Sequence, residues 1–107
     1  MSTAVTAEVK ADGKELVIAI DGRFDFAAHQ QFRDAYERVF PKPALYVIDL
    51  AKANYLDSSA LGMLLLLRDH AGEKPGDVEP RVKIINASPD VRKILAISNF
   101  DKLFNIS

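Results

Sequence analysis

Asp57, Ser58 and Ser59 set a carboxylate and two hydroxyls side by side in a 107-residue chain that has no cysteine. They stand directly before an almost unbroken apolar segment, Ala60 to Leu67, with leucine at 61, 64, 65, 66 and 67. Its length and leucine content predict a helix rather than a strand. Short oxygen-bearing side chains at a helix start accept hydrogen bonds from the free backbone N–H groups. Such a cap is worth roughly 1 kcal/mol, and capping alone is the purely structural account of the run. Three such side chains in a row exceed what one cap needs, and the surplus is the first pointer to function.

Other chemistries find less support. The two histidines, His29 and His70, each fall on a helix, lack the paired spacing of a metal site, and read as solvated surface residues. A serine nucleophile calls for a G-x-S-x-G elbow and a base, and Leu56-Asp57-Ser58-Ser59-Ala60 is not that elbow. Neither a P-loop nor a G-x-G-x-x-G occurs. Asp49, near the end of an apolar run, invites comparison with a phosphoacceptor aspartate. The acidic pair and late lysine that would hold Mg²⁺ and phosphate are not evident, so Asp49 reads as a strand-end or loop-capping carboxylate.

The elements that must position Ser58 follow from periodicity. Val5, Ala7 and Val9 alternate with more polar residues, as in a strand with one buried face. Asp12-Gly13 marks a hairpin turn into Leu16–Ile20, whose continuous apolar run predicts a strand covered on both faces. Ala28, Phe32, Ala35, Tyr36 and Val39 share one helical face, with Asp25 as a cap before it and Pro41 and Pro43 beyond it. Residues 44–50 form the third strand and 58–71 the second helix, with Gly72 as its stop. Residues 73–80 read as a solvated loop. Val82, Ile84 and Ile85 mark a fourth strand. Ser88-Pro89-Asp90 opens a third helix whose apolar face takes Val91, Ile94, Leu95 and Ile97, with Asn99 near its end. Residues 103–106 make a short closing strand or docked tail. The order ββαβαβα predicts an α/β fold in which a strand, a crossover helix and the next strand run parallel. Function in such folds gathers at the carboxyl ends of parallel strands, so Asp25 and Ser58 are expected on one rim.

Composition narrows the classes. The length suits one domain, residues 1–107, with a single core. Hydrophobic residues make up 49% and charged residues 27%, and the net charge is −1. No basic field argues for direct nucleic-acid binding. The N-terminus reads as lacking a signal peptide, and the longest apolar run is too short to span a membrane. The absence of cysteine fits a reducing cytosol.

The strand, the Asp57-Ser58-Ser59-Ala60-Leu61-Gly62 run and the leucine-rich helix resemble the core motif of the STAS domain of bacterial anti-sigma factor antagonists. That family commonly carries Asp-Ser-Ser/Thr-Gly-Leu-Gly, with a phosphorylatable serine directly after the aspartate. Ala60 replaces a common glycine, which bears on helix entry and kinase fit. Gly22-Arg23-Phe24-Asp25 resembles the family's Gly-Glu-Leu-Asp, with Arg23 reversing the usual charge. Ser88 to Phe100 resembles its last helix and following turn. The resemblance therefore spans essentially the whole chain.

It implies a STAS-like mixed, mostly parallel sheet with an N-terminal antiparallel hairpin and about three main helices. It also implies a cytoplasmic, monomeric protein without cofactor, acting as substrate and ligand rather than catalyst. Unphosphorylated, it would bind an anti-sigma factor, which often doubles as the serine kinase. Phosphorylation of Ser58 would abolish binding, and a PP2C-type phosphatase would restore it. Ser59 is a helix cap or a secondary modification site. The implied contact residues are Arg23, Asp25, Phe26, Tyr55, Leu56, Asp57, Ser58, Ser59 and Leu61, with Met63 or Leu64 joining them if exposed, though core packing is their simpler use. Asp25 is a helix cap or positions Ser58 for the kinase. Arg23 is simplest as a solvated strand-end charge, and pairs with the phosphate if its guanidinium reaches Ser58. The rival reading is a STAS scaffold or sensor that binds a small apolar or nucleotide ligand, which a large apolar cavity would favour.

Overall fold

The computed structural model describes residues 4–39, 41–72, 81–102 and 104–106. The loop expected at 73–80 lies outside them. Strands β1 (Ala4–Lys10), β2 (Glu15–Phe24), β3 (Leu45–Leu56), β4 (Val82–Ile85) and β5 (Asn105–Ile106) alternate, after the first hairpin, with helices α1 (His29–Glu37), α2 (Ser58–Ala71) and α3 (Pro89–Ile97). They form one mixed sheet in the order β1-β2-β3-β4-β5. β1 is antiparallel to β2, and every later neighbour is parallel. The α/β class, the hairpin and the three helices agree with the sequence reading.

Sequential strand order decides where the helices lie. Each parallel crossover is right-handed by the usual rule, and the strands always step in one direction, so each helix lands on the same side. Phe32 and Tyr36 of α1, Leu64 and Leu67 of α2, and Val91 and Leu95 of α3 indeed share one core with Leu16, Ile18, Ile20, Tyr46, Ile48, Leu50, Val82 and Ile84. The expectation that Leu16–Ile20 is covered on both faces is therefore corrected. Val17 and Ala19, pointing to the other side, are only half-buried. The reading of β1 needs a similar amendment. Val5, Ala7 and Val9 do pair with Ile20, Ile18 and Leu16 on the helical side. Only Val5 reaches the core, because the helical layer does not extend over the rest of this edge strand. Ile97, expected on the inner face of α3, is 76% exposed, since the inward positions are taken by Val91 and Leu95.

β3 runs six residues beyond the expected end, and β2 four. The extension holds two irregularities. Ala19 and Asp49 are partners and so are Asp21 and Lys52; then Gly22 pairs with Ala53 and Arg23 with Tyr55. Each step gives β3 one residue more than β2, a β-bulge that resets the in–out alternation. Its core-facing positions thus pass from 46, 48 and 50 to 53 and 56. Asp49 braces the first bulge. Its Oδ1 accepts from Ala51 N–H at 2.9 Å and from Asn86 Nδ2 at 3.2 Å. That is a capping role, although inside the strand rather than at its end.

Candidate functional site

The prolonged β2–β3 ladder ends on the pair Phe24–Leu56. Both side chains are buried, and the next residue on each strand is an aspartate. Asp25 Oδ1 accepts from Ala27 N–H at 3.1 Å and opens the short 3-10 turn, Phe26–Ala28, that leads into α1. Asp57 Oδ1 accepts from Ala60 N–H at 3.0 Å and caps α2. Two parallel strands thus deliver two N-capping carboxylates to one rim. With Asp57 as the cap, Ser58 is the first helical residue and Ser59 the second. Ser58 is exposed, Ser59 half-buried.

At the ends of β2 and β3 the exposed groups are of two kinds. Phe26, 70% exposed, stacks on His29 with ring centroids 5.4 Å apart and planes nearly parallel. Arg23 lies over the Tyr55 ring at 4.4 Å, with its Nε 3.6 Å from Asp25 Oδ2. Leu56 is removed from the expected contact set: it faces the core beside Phe24, as strand alternation requires. Leu61 is half-buried against the core.

Met63 and Leu64 also point inward, so neither is an exposed contact. The helix period explains why: positions 60, 63, 64, 67 and 71 form one inward stripe. The outward leucines are Leu65 and Leu66, 41% and 60% exposed, which the sequence reading missed. The one available signal was the phase set by the Asp57 cap, four residues ahead of Leu61 and eight ahead of Leu65.

The expectation of solvated histidines is corrected as well. His29 and His70 are both half-buried, and both line a groove of about 370 Å³ between α1 and α2, with Phe32, Tyr36, Met63 and Leu66 beside them. His70 packs 5.0 Å from Tyr36 and 6.2 Å from Tyr46, ring to ring. Its Nε2 and the Tyr46 hydroxyl are enclosed and have no partner among the described residues. Burial, helped by the Lys42 ammonium and opposed by Glu37, lowers the His70 pKa. Neutral His70 is the folded form's preference, so stability is complete above the ordinary histidine value of about 6.5 and is lost as pH falls through the lowered one. The apparent melting temperature should therefore drop between pH 7.5 and 5.5, and His70→Gln should flatten that slope. Equal slopes in the two proteins, measured by thermal unfolding, would remove His70 from the account.

Among the described residues no helix is long and apolar enough to cross a membrane, and no cluster of histidine and acidic residues is arranged to hold a metal ion.

Three comparisons bear on this arrangement. The family model described as Mlab, STAS domain, matches residues 7–105. A STAS-domain containing protein of Pseudomonas aeruginosa is 64% identical over 104 residues, covering 97% of this chain and 99% of its own. An anti-sigma factor antagonist from Mycobacterium paratuberculosis superimposes with a TM-score of 0.74 at 19% identity, over 98% of this chain and 85% of that one. SpoIIAA, a Bacillus cell fate determinant, superimposes in both its forms. The unphosphorylated form gives a TM-score of 0.68 at 20% identity, over 97% and 87% of the two chains. The phosphorylated form gives 0.67 at 21%, over 97% and 91%.

Proposed function

The chain belongs to the STAS-domain family, and from that premise we propose that it is a cytoplasmic anti-sigma factor antagonist working by partner switching, with Ser58 as the switch. Unmodified, it docks on an anti-sigma factor and so frees the sigma factor. A serine kinase, often the anti-sigma factor itself, then transfers phosphate to Ser58. The Ser58 hydroxyl oxygen attacks the γ-phosphorus of a nucleoside triphosphate, the bond to the β-phosphate oxygen breaks, and the hydroxyl proton passes to a base of the kinase. A PP2C-type phosphatase reverses the state by adding water across the phosphoester.

The observation that carries this reading is the placement of an exposed serine at the first position of α2, beside the two capping carboxylates. A helix N-terminus tolerates phosphate, because its N–H groups and dipole favour negative charge. The fold can therefore accept about −1.5 to −2 units of charge without repacking. The same charge lands beside Asp25 and Asp57 and would repel an acidic partner surface or strand an apolar one against a dianion.

The docking face in this reading runs from Phe26 and Tyr55 through Ser58 and Ser59 to Leu61, Leu65 and Leu66. The ligand-sensor alternative gains little from the α1–α2 groove, whose lining mixes Arg33, Glu37 and Asp69 with its apolar residues. The direct test is affinity capture of the tagged full chain from its native host. Mass spectrometry should find an anti-sigma factor with the unmodified protein and phosphate on the serine at 58. Recovery of such a partner equally with both forms, or no phosphate at 58 under any growth condition, would overturn the proposal.

A further inference from the structure

Arg23 introduces a cation into an otherwise acidic rim, and its geometry gives that cation a use. It stands directly opposite Tyr55 in the β2–β3 ladder, and Ser58 follows Tyr55 by three residues. Its contact with Asp25, which lies beyond the strand's end, means that the side chain leans toward the rim rather than back along β2. The guanidinium meets one carboxylate oxygen at 3.6 Å and the face of an aromatic ring. More than half of the Arg23 side chain is exposed. Neighbouring strands lie only about 4.8 Å apart, so Arg23 starts one strand spacing from the strand that leads into α2.

We propose that Arg23 is the internal receptor for phosphate on Ser58, an inference that rests on reading Ser58 as the modified residue. On modification the guanidinium exchanges the Asp25 carboxylate for two phosphate oxygens. The planar fork of arginine matches phosphate bidentately, and a dianion outcompetes a monoanion for the same cation. The modified state is then more than the unmodified surface with charge added. Asp25 loses its counterion, Tyr55 loses the cation over its ring, and the phosphate is drawn across the rim. Asp25, Tyr55 and the serine itself thus change with a single covalent step.

The experiment uses the full chain with phosphoserine installed at position 58 through an expanded genetic code, so neither kinase nor partner is needed. Titrated by phosphorus NMR, the second phosphate ionisation should lie half a unit to about one unit lower with Arg23 than in the Arg23→Gln protein. In the same wild-type sample the Arg23 Nε–H resonance should shift and become protected from solvent exchange when Ser58 carries phosphate. That second readout separates direct pairing from a diffuse field effect. Matching phosphate titrations in the two proteins, or an Nε–H signal indifferent to modification, would overturn the role of Arg23. Either result would leave the partner-switching reading to stand or fall on the host capture experiment.

Discussion

Ser58→Glu should bind the captured anti-sigma partner at least tenfold more weakly than the wild type, while Ser58→Ala stays within about threefold. A tenfold loss corresponds to about 1.4 kcal/mol, a modest demand on a charge forced into a docked interface. Truncations and mismatches at buried interfacial charges commonly cost about 2–5 kcal/mol. Glutamate carries one negative charge where phosphoserine carries nearly two, so the variant understates the natural effect. The fold itself should be unmoved. Position 58 is exposed and lies in the first turn of α2, where a carboxylate is favoured by the helix dipole. Thermal unfolding should thus place both variants within about 1 kcal/mol of the wild type. Titration calorimetry decides the matter: indistinguishable affinities for the glutamate and alanine proteins would mean that charge at this position is not what the partner senses.

That contrast depends on features which differ in how plainly the sequence exposes them. The ends of α2 were legible because each is made by a residue with a local reason to be there. Asp57 supplies the capping carboxylate, and Gly72 adopts the left-handed conformation at φ 79° while its N–H reaches the carbonyls of Arg68 and Asp69. Ser88 and Pro89 announce α3 in the same way, with the Ser88 hydroxyl accepting from Val91 N–H at 3.2 Å. Asn99, turned left-handed at φ 60°, takes the chain out of that helix.

What stayed hidden depends on tertiary phase or on topology. Two bulges break the alternation of β3 after Leu50, so a strand continuing to Leu56 looks like a polar crossing. The two-sided cover expected for Leu16–Ile20 failed because an apolar run does not say on how many sides helices will land. Sequential strand order, not local composition, puts them on one. His70 looked like a surface residue because nothing near it in sequence reveals Tyr36 and Tyr46 closing over its ring.

The leucine run of α2 is the sharpest instance, and it yields a matched pair of expected results. Leu64 and Leu65 are neighbours of identical chemistry, yet one is fully buried and the other 41% exposed. Leu64→Ala removes side-chain atoms from a core shared with β2, β3 and both other helices. It should cost about 2–5 kcal/mol, from lost transfer energy and from the cavity left behind. Leu65→Ala and Leu66→Ala open no cavity and should change stability by about 0.5 kcal/mol or less. If the outward face of α2 docks the partner, those two variants should instead lose affinity, by about 1 kcal/mol each for well-covered contacts, or roughly fivefold. Chemical denaturation and calorimetry on the three proteins therefore separate fold from interface along a single helix. Full affinity in both the Leu65 and Leu66 variants would move the interface off α2, and an unfolding penalty for Leu65→Ala as large as that for Leu64→Ala would mean that the helix phase derived from the Asp57 cap is wrong.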